Sequence, residues 1–254
     1  MTQELAGRIA LVTGASSGLG RAFALRFAKE GARVAVAARR VELLTQLVEE
    51  IAAQGGEALP LVMDVTSAAS IVDGYTLLSE RWGSADIVIV NAGISSQALA
   101  IDLVVEDLDR ILDINVRGAF LTAREGAKAM IAGGSARHKR GRIVFIASIG
   151  GQRALPGLAA YCASKAALIM LGQSLAREWI NKGINVNVVC PGYISTELNA
   201  EWFESNKGRE QVARFPRRRL MQACDLEDMV TLLSSGRSSA ITGSVFTLDD
   251  GQSL

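Results

Sequence analysis

The sequence predicts an α/β fold, a doubly wound sheet of about seven parallel strands with helices on both faces. Three observations carry that expectation. Short apolar runs rich in Val and Ile recur along the chain, longer stretches with helical patterning separate them, and a glycine stands just past four of those stretches. Runs that mostly lack polar alternation suit strands covered on both faces, as in a parallel sheet. Strands alternating with helices then wind that sheet through right-handed crossovers.

In chain order, the first strand is expected at Arg8–Thr13 and runs into Thr13-Gly-Ala-Ser-Ser-Gly-Leu-Gly20 and a helix over Leu19–Glu30, closed by Gly31. A strand at Arg33–Ala37 precedes a helix over Val41–Gln54 that ends at Gly55, and a strand at Ala58–Met63 precedes one over Ala68–Trp82 that ends at Gly83. Glycine past a helix supplies the left-handed residue that its last carbonyls often need. A strand at Asp86–Asn91 leads to a long helix over Val105–Ile131, then to an extended polar loop, Gly134–Gly141, with a basic cluster. The remaining strands are expected at Arg142–Ala147, Asn185–Val189 and Ser244–Leu248, with a helix over Leu158–Asn181 closed by Gly183. No linker, repeat or low-complexity tract divides the 254 residues, so residues 1–254 read as one domain.

A net charge of +1 offers no electrostatic footprint for nucleic acid or an anionic membrane. The amino terminus lacks the basic start and apolar core of a signal peptide, and apolar runs such as Ile87 to Val90 are too short to span a bilayer. Cys162, Cys190 and Cys224 have no metal-like spacing and read as buried reduced thiols of a cytoplasmic protein. The only histidine, His138, stands in a basic polar stretch, which argues against a Ser-His-Asp hydrolase and a multi-histidine metal site.

Tyr161 and Lys165 stand four apart in Tyr161-Cys-Ala-Ser-Lys165, on one face of the expected helix. A tyrosine titrates near ~10, and an adjacent ammonium favours the phenolate, so the pair suits proton handling. At the amino end, glycines in a strand-to-helix turn let backbone approach a pyrophosphate whose charge rests on the helix terminus. The spacing here is Gly-x-x-x-Gly-x-Gly across Gly14, Gly18 and Gly20, not the Gly-x-Gly-x-x-Gly of other dinucleotide folds.

These motifs, with Asn91-Ala92-Gly93, Asn115, Ser148 and Pro191-Gly192, appear in the order and spacing of the short-chain dehydrogenases/reductases, which the chain resembles from about Gly7 to Gly251. The resemblance is to that family's compact single-domain branch and implies a Rossmann-type fold. It implies hydride transfer at a carbonyl or carbinol carbon, with Tyr161 as acid in reduction and base in oxidation. Lys165 would lower the tyrosine pKa and bond the nicotinamide ribose, Ser148 would bond the substrate oxygen, and Asn115 would hold a water that links Lys165 to solvent. Ser148 as a helix cap and Asn115 as a partner of its own helix backbone are the plainer alternatives.

For the cofactor, the resemblance points to Gly14, Ser16, Ser17, Gly18, Leu19 and Gly20 at the pyrophosphate and to Asp64 and Val65 at the adenine. It points to Asn91, Ala92 and Gly93 at the adenine ribose, and to Pro191, Gly192, Ile194 and Thr196 at the nicotinamide. Asp64 reads equally well as a turn residue. Ala38 stands where an acidic residue would select NAD, which leaves Arg39 to pair with a 2′-phosphate and favours NADP(H). Arg40 is either a second contact or a solvated loop residue.

Residues from about 192 to 222 resemble the family's mobile substrate lid. Its Leu198, Trp202 and Phe203, with Gly150, Leu155 and Tyr193 of the pocket wall, would cover a hydrophobic ketone or pack the lid onto the body. Docking of an acyl carrier on the basic loop, and hence a 3-oxoacyl thioester substrate, is an alternative, as is a non-catalytic nucleotide sensor. Surplus apolar positions on the two long helices, among them Ala166, Ala167, Ile169 and Met170, suit the pairing that gives family members homotetramers or homodimers. Asp249-Asp250-Gly251 departs from the family's usual Asp-Gly-Gly and puts the geometry of that turn in doubt.

Overall fold

A computed structural model describes residues 3–195 and 200–254. Seven parallel strands form one sheet in the order β3-β2-β1-β4-β5-β6-β7. They are β1 (Ile9–Thr13), β2 (Arg33–Ala38), β3 (Glu57–Val62), β4 (Ile87–Val90), β5 (Gly141–Ile146), β6 (Ile184–Pro191) and β7 (Val245–Leu248). The order reverses between β1 and β4, which opens a crevice at the carboxyl ends of these strands.

Each inner strand feeds two cores, because successive side chains point to opposite faces. From β1, Ile9 and Leu11 join α3 (Ala68–Trp82), α5 (Ala119–Ala132) and α7 (Ala159–Trp179). Ala10 and Val12 join α1 (Gly18–Lys29), α2 (Val41–Ala53) and α10 (Cys224–Ser234). The edge strand β3 differs: it is only partly buried and carries Pro60, which an edge strand tolerates. In β6, buried Asn185 and Asn187 donate to the carbonyls of Ser238, Ser239 and Ile241, which satisfies polar groups in an otherwise apolar strand.

The four helix-closing glycines all have positive φ. The long helix expected over Val105–Ile131 is interrupted: α4 (Val105–Leu112) passes through a π-helical segment, Asp113–Gly118, into α5. A Cβ at Gly118 would lie 2.8 Å from the Val65 carbonyl oxygen, so the helix widens where the loop after β3 presses on it. The polar loop at 134–141 holds one helical turn, α6 (Ser135–His138), between left-handed Gly134 and Lys139. The thiols also differ from expectation, since Cys190 alone is buried, while Cys162 is half-buried and Cys224 is exposed on the first turn of α10.

Candidate active site

The carboxyl end of β1 and the start of α1 form a cradle with no room for side chains. A Cβ at Gly20 would lie 2.3 Å from the Gly14 carbonyl oxygen and 2.7 Å from Asn91 Nδ2, and Gly14 itself has φ +66. Asn91 Nδ2 donates to the Thr13 carbonyl at 2.9 Å, and Thr13 Oγ1 accepts from the Asn91 and Ala92 amides at 3.0 and 3.2 Å. These bonds lock the turn after β4 to the glycine turn. Ser17, the N-cap of α1, makes no capping bond, so the amides of the first helical turn stay open to an anion.

The two arginines after β2 divide. Arg40 Nη2 donates to Ser16 Oγ at 2.9 Å and to Ser17 Oγ at 2.8 Å, which places its guanidinium over the glycine turn. Arg39 is exposed, and its charge acts on Asp64. Asp64 Oδ1 accepts from the Thr66 amide at 2.9 Å and hydroxyl at 2.8 Å. That turn holds the Asp64 carboxyl below its ordinary range, with the Thr66 amide bond the largest cause. Asp64 thus shapes this turn through one oxygen, and Ser67 caps α3 by accepting from Ser70 N at 3.2 Å.

Across the crevice lie the proton-handling candidates. Ser148 follows β5 and accepts from the Gly150 amide at 3.0 Å, which leaves its hydroxyl hydrogen to donate elsewhere. Lys165, buried on α7, donates to the Ile146 carbonyl at 3.0 Å, and its Nζ lies 5.6 Å from the Tyr161 ring centre. Among the described residues no carboxylate pairs with it. Burial lowers its pKa to about 8.

Tyr161 corrects one expectation. Its pKa is raised: burial is the largest cause, and a hydrogen bond with the Ser148 hydroxyl opposes it in part. Lys165 is not among the causes, because its ammonium turns to the Ile146 carbonyl and lies over the ring rather than at the phenol oxygen.

Asn115 sits fully buried in the π-helical segment. Its Oδ1 accepts from the Ile94 amide at 2.8 Å, while Nδ2 donates to the Ile94 carbonyl at 2.9 Å and to Ser164 Oγ at 3.0 Å. The side chain is thus committed to the chain after β4 rather than to its own helix. A Cβ at Gly93 would lie 3.2 Å from Asn115 Oδ1 and 3.4 Å from Lys165 Nζ, so the Asn91–Gly93 turn touches both.

The pocket wall is partly as expected. A Cβ at Gly150 would meet Leu155 at 3.2 Å and both Cys162 Sγ and Ser148 Oγ at 3.4 Å. Cys162, read from sequence as a buried thiol, thus lines the space beside Ser148. Its signal was its place directly after Tyr161. Phe203, on α8 (Ala200–Glu204), is buried edge-on to Tyr193 with ring centres 5.8 Å apart. Trp202 Nε1 donates to Gln211 Oε1 at 3.1 Å, which ties α8 to α9 (Asn206–Arg214). Pro191 ends β6, Gly192 N donates to the Leu248 carbonyl at 3.0 Å, and Ile194 bridges Met221. Thr196 and Leu198 lie outside the described residues. Gln252 had no sequence signal, yet it accepts from the Tyr193 amide at 2.6 Å.

The basic turn at α6 precedes β5, whereas Ser148 follows it. About seven residues at ~3.3 Å each separate the two, on opposite edges of the sheet. The basic cluster therefore does not border the site.

The family model described as short chain dehydrogenase matches residues 8–207. The chain belongs to that family. It is 36% identical to a sorbitol dehydrogenase of Cereibacter sphaeroides, over 98% of each chain. It is 39% identical to an A-factor type gamma-butyrolactone 1′-reductase (1S-forming) of Streptomyces virginiae, over 97% of this chain and 96% of that one. Among solved structures, a gluconate 5-dehydrogenase from Burkholderia cenocepacia in complex with NADP and tartrate superposes with a TM-score of 0.93 at 30% identity, covering 99% and 97% of the two chains. The short chain dehydrogenase is thus an oxidoreductase built on a nicotinamide-dinucleotide fold. No described helix is long and apolar enough to cross a membrane.

Proposed function

We propose that the protein is an NADP(H)-dependent oxidoreductase that interconverts a ketone and a secondary alcohol, with a hydrophobic substrate. The observation that carries this reading is the meeting, at one end of the sheet, of a glycine turn too tight for a Cβ at Gly20 with a serine, a tyrosine and a buried lysine. The residues present fit a dinucleotide: bare backbone at Gly14, Gly18 and Gly20, open amides at Leu19 and Gly20, and the Asn91–Gly93 turn alongside. Val65, Gly192 and Ile194 border the same crevice, and Thr196 is proposed with them from the motif alone. The nucleotide, when bound, supplies the hydride.

The chain's own part is to orient the carbonyl and move one proton. The Ser148 hydroxyl donates to the substrate oxygen as charge builds there, and Tyr161 delivers the proton to that oxygen. A raised tyrosine pKa keeps the phenol protonated at neutral pH, the form that reduction requires. Lys165 holds a ribose hydroxyl and passes protons onward, and Asn115 fixes the Ile94 backbone beside it. Gly150, Leu155 and Tyr193 line the substrate space, with residues 192–222 as its lid.

Arg40 with Ser16 and Ser17 offers a cluster of donors for a 2′-phosphate, and Arg39 offers a second, uncommitted guanidinium. Arg40→Ala and Arg39→Ala are each expected to shift the preference toward NADH by about tenfold, the scale of one lost charge-assisted hydrogen bond. An unchanged NADPH/NADH ratio of kcat/KM in both variants would remove the assignment. NADPH oxidation screened against aromatic, alicyclic, steroidal, polyol-derived and acyl-thioester ketones tests the activity itself. No oxidation across the panel would favour a nucleotide-sensing role.

A groove of about 820 Å³ lined by Leu112, Phe120, Met170 and Leu171 runs between α4, the π segment and α7. Met170 is 63% exposed at its centre. We read this face as the contact with a second copy in a cytoplasmic homodimer or homotetramer. Light scattering that shows a monomer at micromolar concentration would contradict it.

A further inference from the structure

Asp250 stands where the family commonly has glycine, and its surroundings give the departure a purpose. Its φ of +54 lies in the left-handed region, which glycine enters freely and aspartate at a cost. The carboxylate, 11% exposed, is 3.1 Å from Arg217 Nε and 2.8 Å from Arg219 Nε. Arg219 Nη1 also reaches Asp225 at 3.2 Å on the first turn of α10. Arg218, between the two arginines, is itself left-handed with φ +50. Both sides of this contact therefore hold a residue in a conformation that its type rarely adopts.

The segment so gripped, residues 215–221, leads back to the candidate active site. Phe215 stacks on Tyr193 with ring centres 5.4 Å apart, and the Met221 amide donates to the Tyr193 carbonyl at 3.0 Å. From the Asp250 side, Gln252 accepts from the Tyr193 amide, and a Cβ at Gly192 would lie 2.5 Å from Gln252 Oε1. Apolar anchoring of the lid is thin: of described residues 201–221 only Phe203, Gly208, Phe215 and Met221 are buried.

We propose that Asp250 is a positioning residue for the substrate lid, clasping Arg217 and Arg219 so that the 215–221 strap lies fixed against Tyr193. The proposal rests on reading residues 192–222 as the lid. The clasp is asymmetric, with a buried carboxylate and guanidinium side chains 72% and 43% exposed. It opens by returning two arginines to water without disturbing the sheet core.

Hydrogen exchange of the full chain tests this without any substrate. Asp250→Asn keeps a side chain that tolerates left-handed backbone but removes the charge. Amides of residues 206–221 are expected to exchange about tenfold faster, with those of the sheet unchanged. Asp250→Gly should loosen the lid equally while melting no lower than wild type, because the backbone cost is gone. The double variant Arg217→Gln/Arg219→Gln, made from the other side, should match both. Raising NaCl from 0.05 to 1 M should loosen the wild-type lid and leave Asp250→Asn unaffected, since exposed partners are screened.

In turnover with whichever ketone the NADPH screen identifies, ketone KM should rise about tenfold while NADPH KM stays within twofold. A screen without turnover would sink the proposed function and leave exchange to decide the clasp. Lid exchange within twofold of wild type in all three variants, or lost protection that spreads through the sheet, would overturn it.

Discussion

The two edges of the sheet both carry charge, and they treat it in opposite ways. At the amino edge, Asp86 accepts from the Ile9 amide at 3.1 Å and lies 3.3 Å from Arg140 Nε and 3.7 Å from Arg8 Nε. Arg142, buried beside it, donates to the carbonyls of Ser235, Lys139 and Gly141. There Asp86 is met by two arginines and Arg142 is wrapped in carbonyls, although Arg8 Nε is buried without a hydrogen-bond partner among the described residues. At the carboxyl edge, buried Lys165 has one carbonyl for a partner and no carboxylate among the described residues. A buried charge without a counterion costs stability, and a fold keeps such a group where something else must meet it. Charge at the amino edge holds strands together, whereas the Lys165 ammonium at the carboxyl edge has no counterion among the described residues.

The sharpest way to break that contrast is Tyr161→Phe. Loss of its proton should lower turnover by about 10²–10⁴-fold, the range of one general acid, with NADPH affinity kept in a fluorescence titration. Residual activity above a few per cent would remove the tyrosine from the proposed mechanism.

Lys165→Met should act on stability and in an unusual direction. The folded pKa of Lys165, about 8, lies below the ordinary lysine value of 10.5. Between those pH values the unfolded chain holds a proton that the native chain has released, so stability rises with pH across the window. Below pH about 8 the wild type bears the full cost of the buried ammonium, on the order of 3 kcal/mol at ~1.36 per unit. The variant should be more stable at pH 7 by a sizeable part of that, and its advantage should fade toward pH 10.5. Urea denaturation of both proteins at pH 6, 8 and 10 measures it, and a wild-type advantage at pH 6 would refute the picture.

The effect at the amino edge is of similar size in stability, leaves turnover alone and carries the opposite sign. Asp86→Ala strands Arg8 and Arg140 and should cost about 2–3 kcal/mol, toward the low end for a broken buried pair because Arg140 is half-exposed. The kcat of the folded fraction should not change. A fall in kcat with unaltered stability would show that the two edges are not separate in role.

Most of the fold was legible because its signals are local. Ala68–Trp82 was bounded to the residue, and the strands were placed within two residues or so, since apolar runs and closing glycines are read along the chain. The π-helical break at Asp113–Gly118 was not legible. Nothing local demands it, and the segment packs at Gly118 against the loop carrying Val65, about fifty residues earlier in sequence. The site divides in the same way. Gly14, Gly20, Ser148, Tyr161 and Lys165 are motif residues, and the structure brings them to one edge. Arg40 over Ser16 and Ser17, Cys162 in the pocket wall and Gln252 on Tyr193 belong to no motif, because each depends on a side chain meeting a distant segment.

By itself, then, the sequence determined the strand–helix alternation, the glycine turn and the candidates for proton handling. Periodicity, turn chemistry and spacing are properties of neighbours in the chain. Tertiary structure alone decided the direction of the Tyr161 shift, which burial raises although an ammonium lies four residues away. It alone decided that the aspartate at position 250 pairs with Arg217 and Arg219. Desolvation and ion pairing depend on what the fold packs around a group, and that is set by segments far apart in the chain.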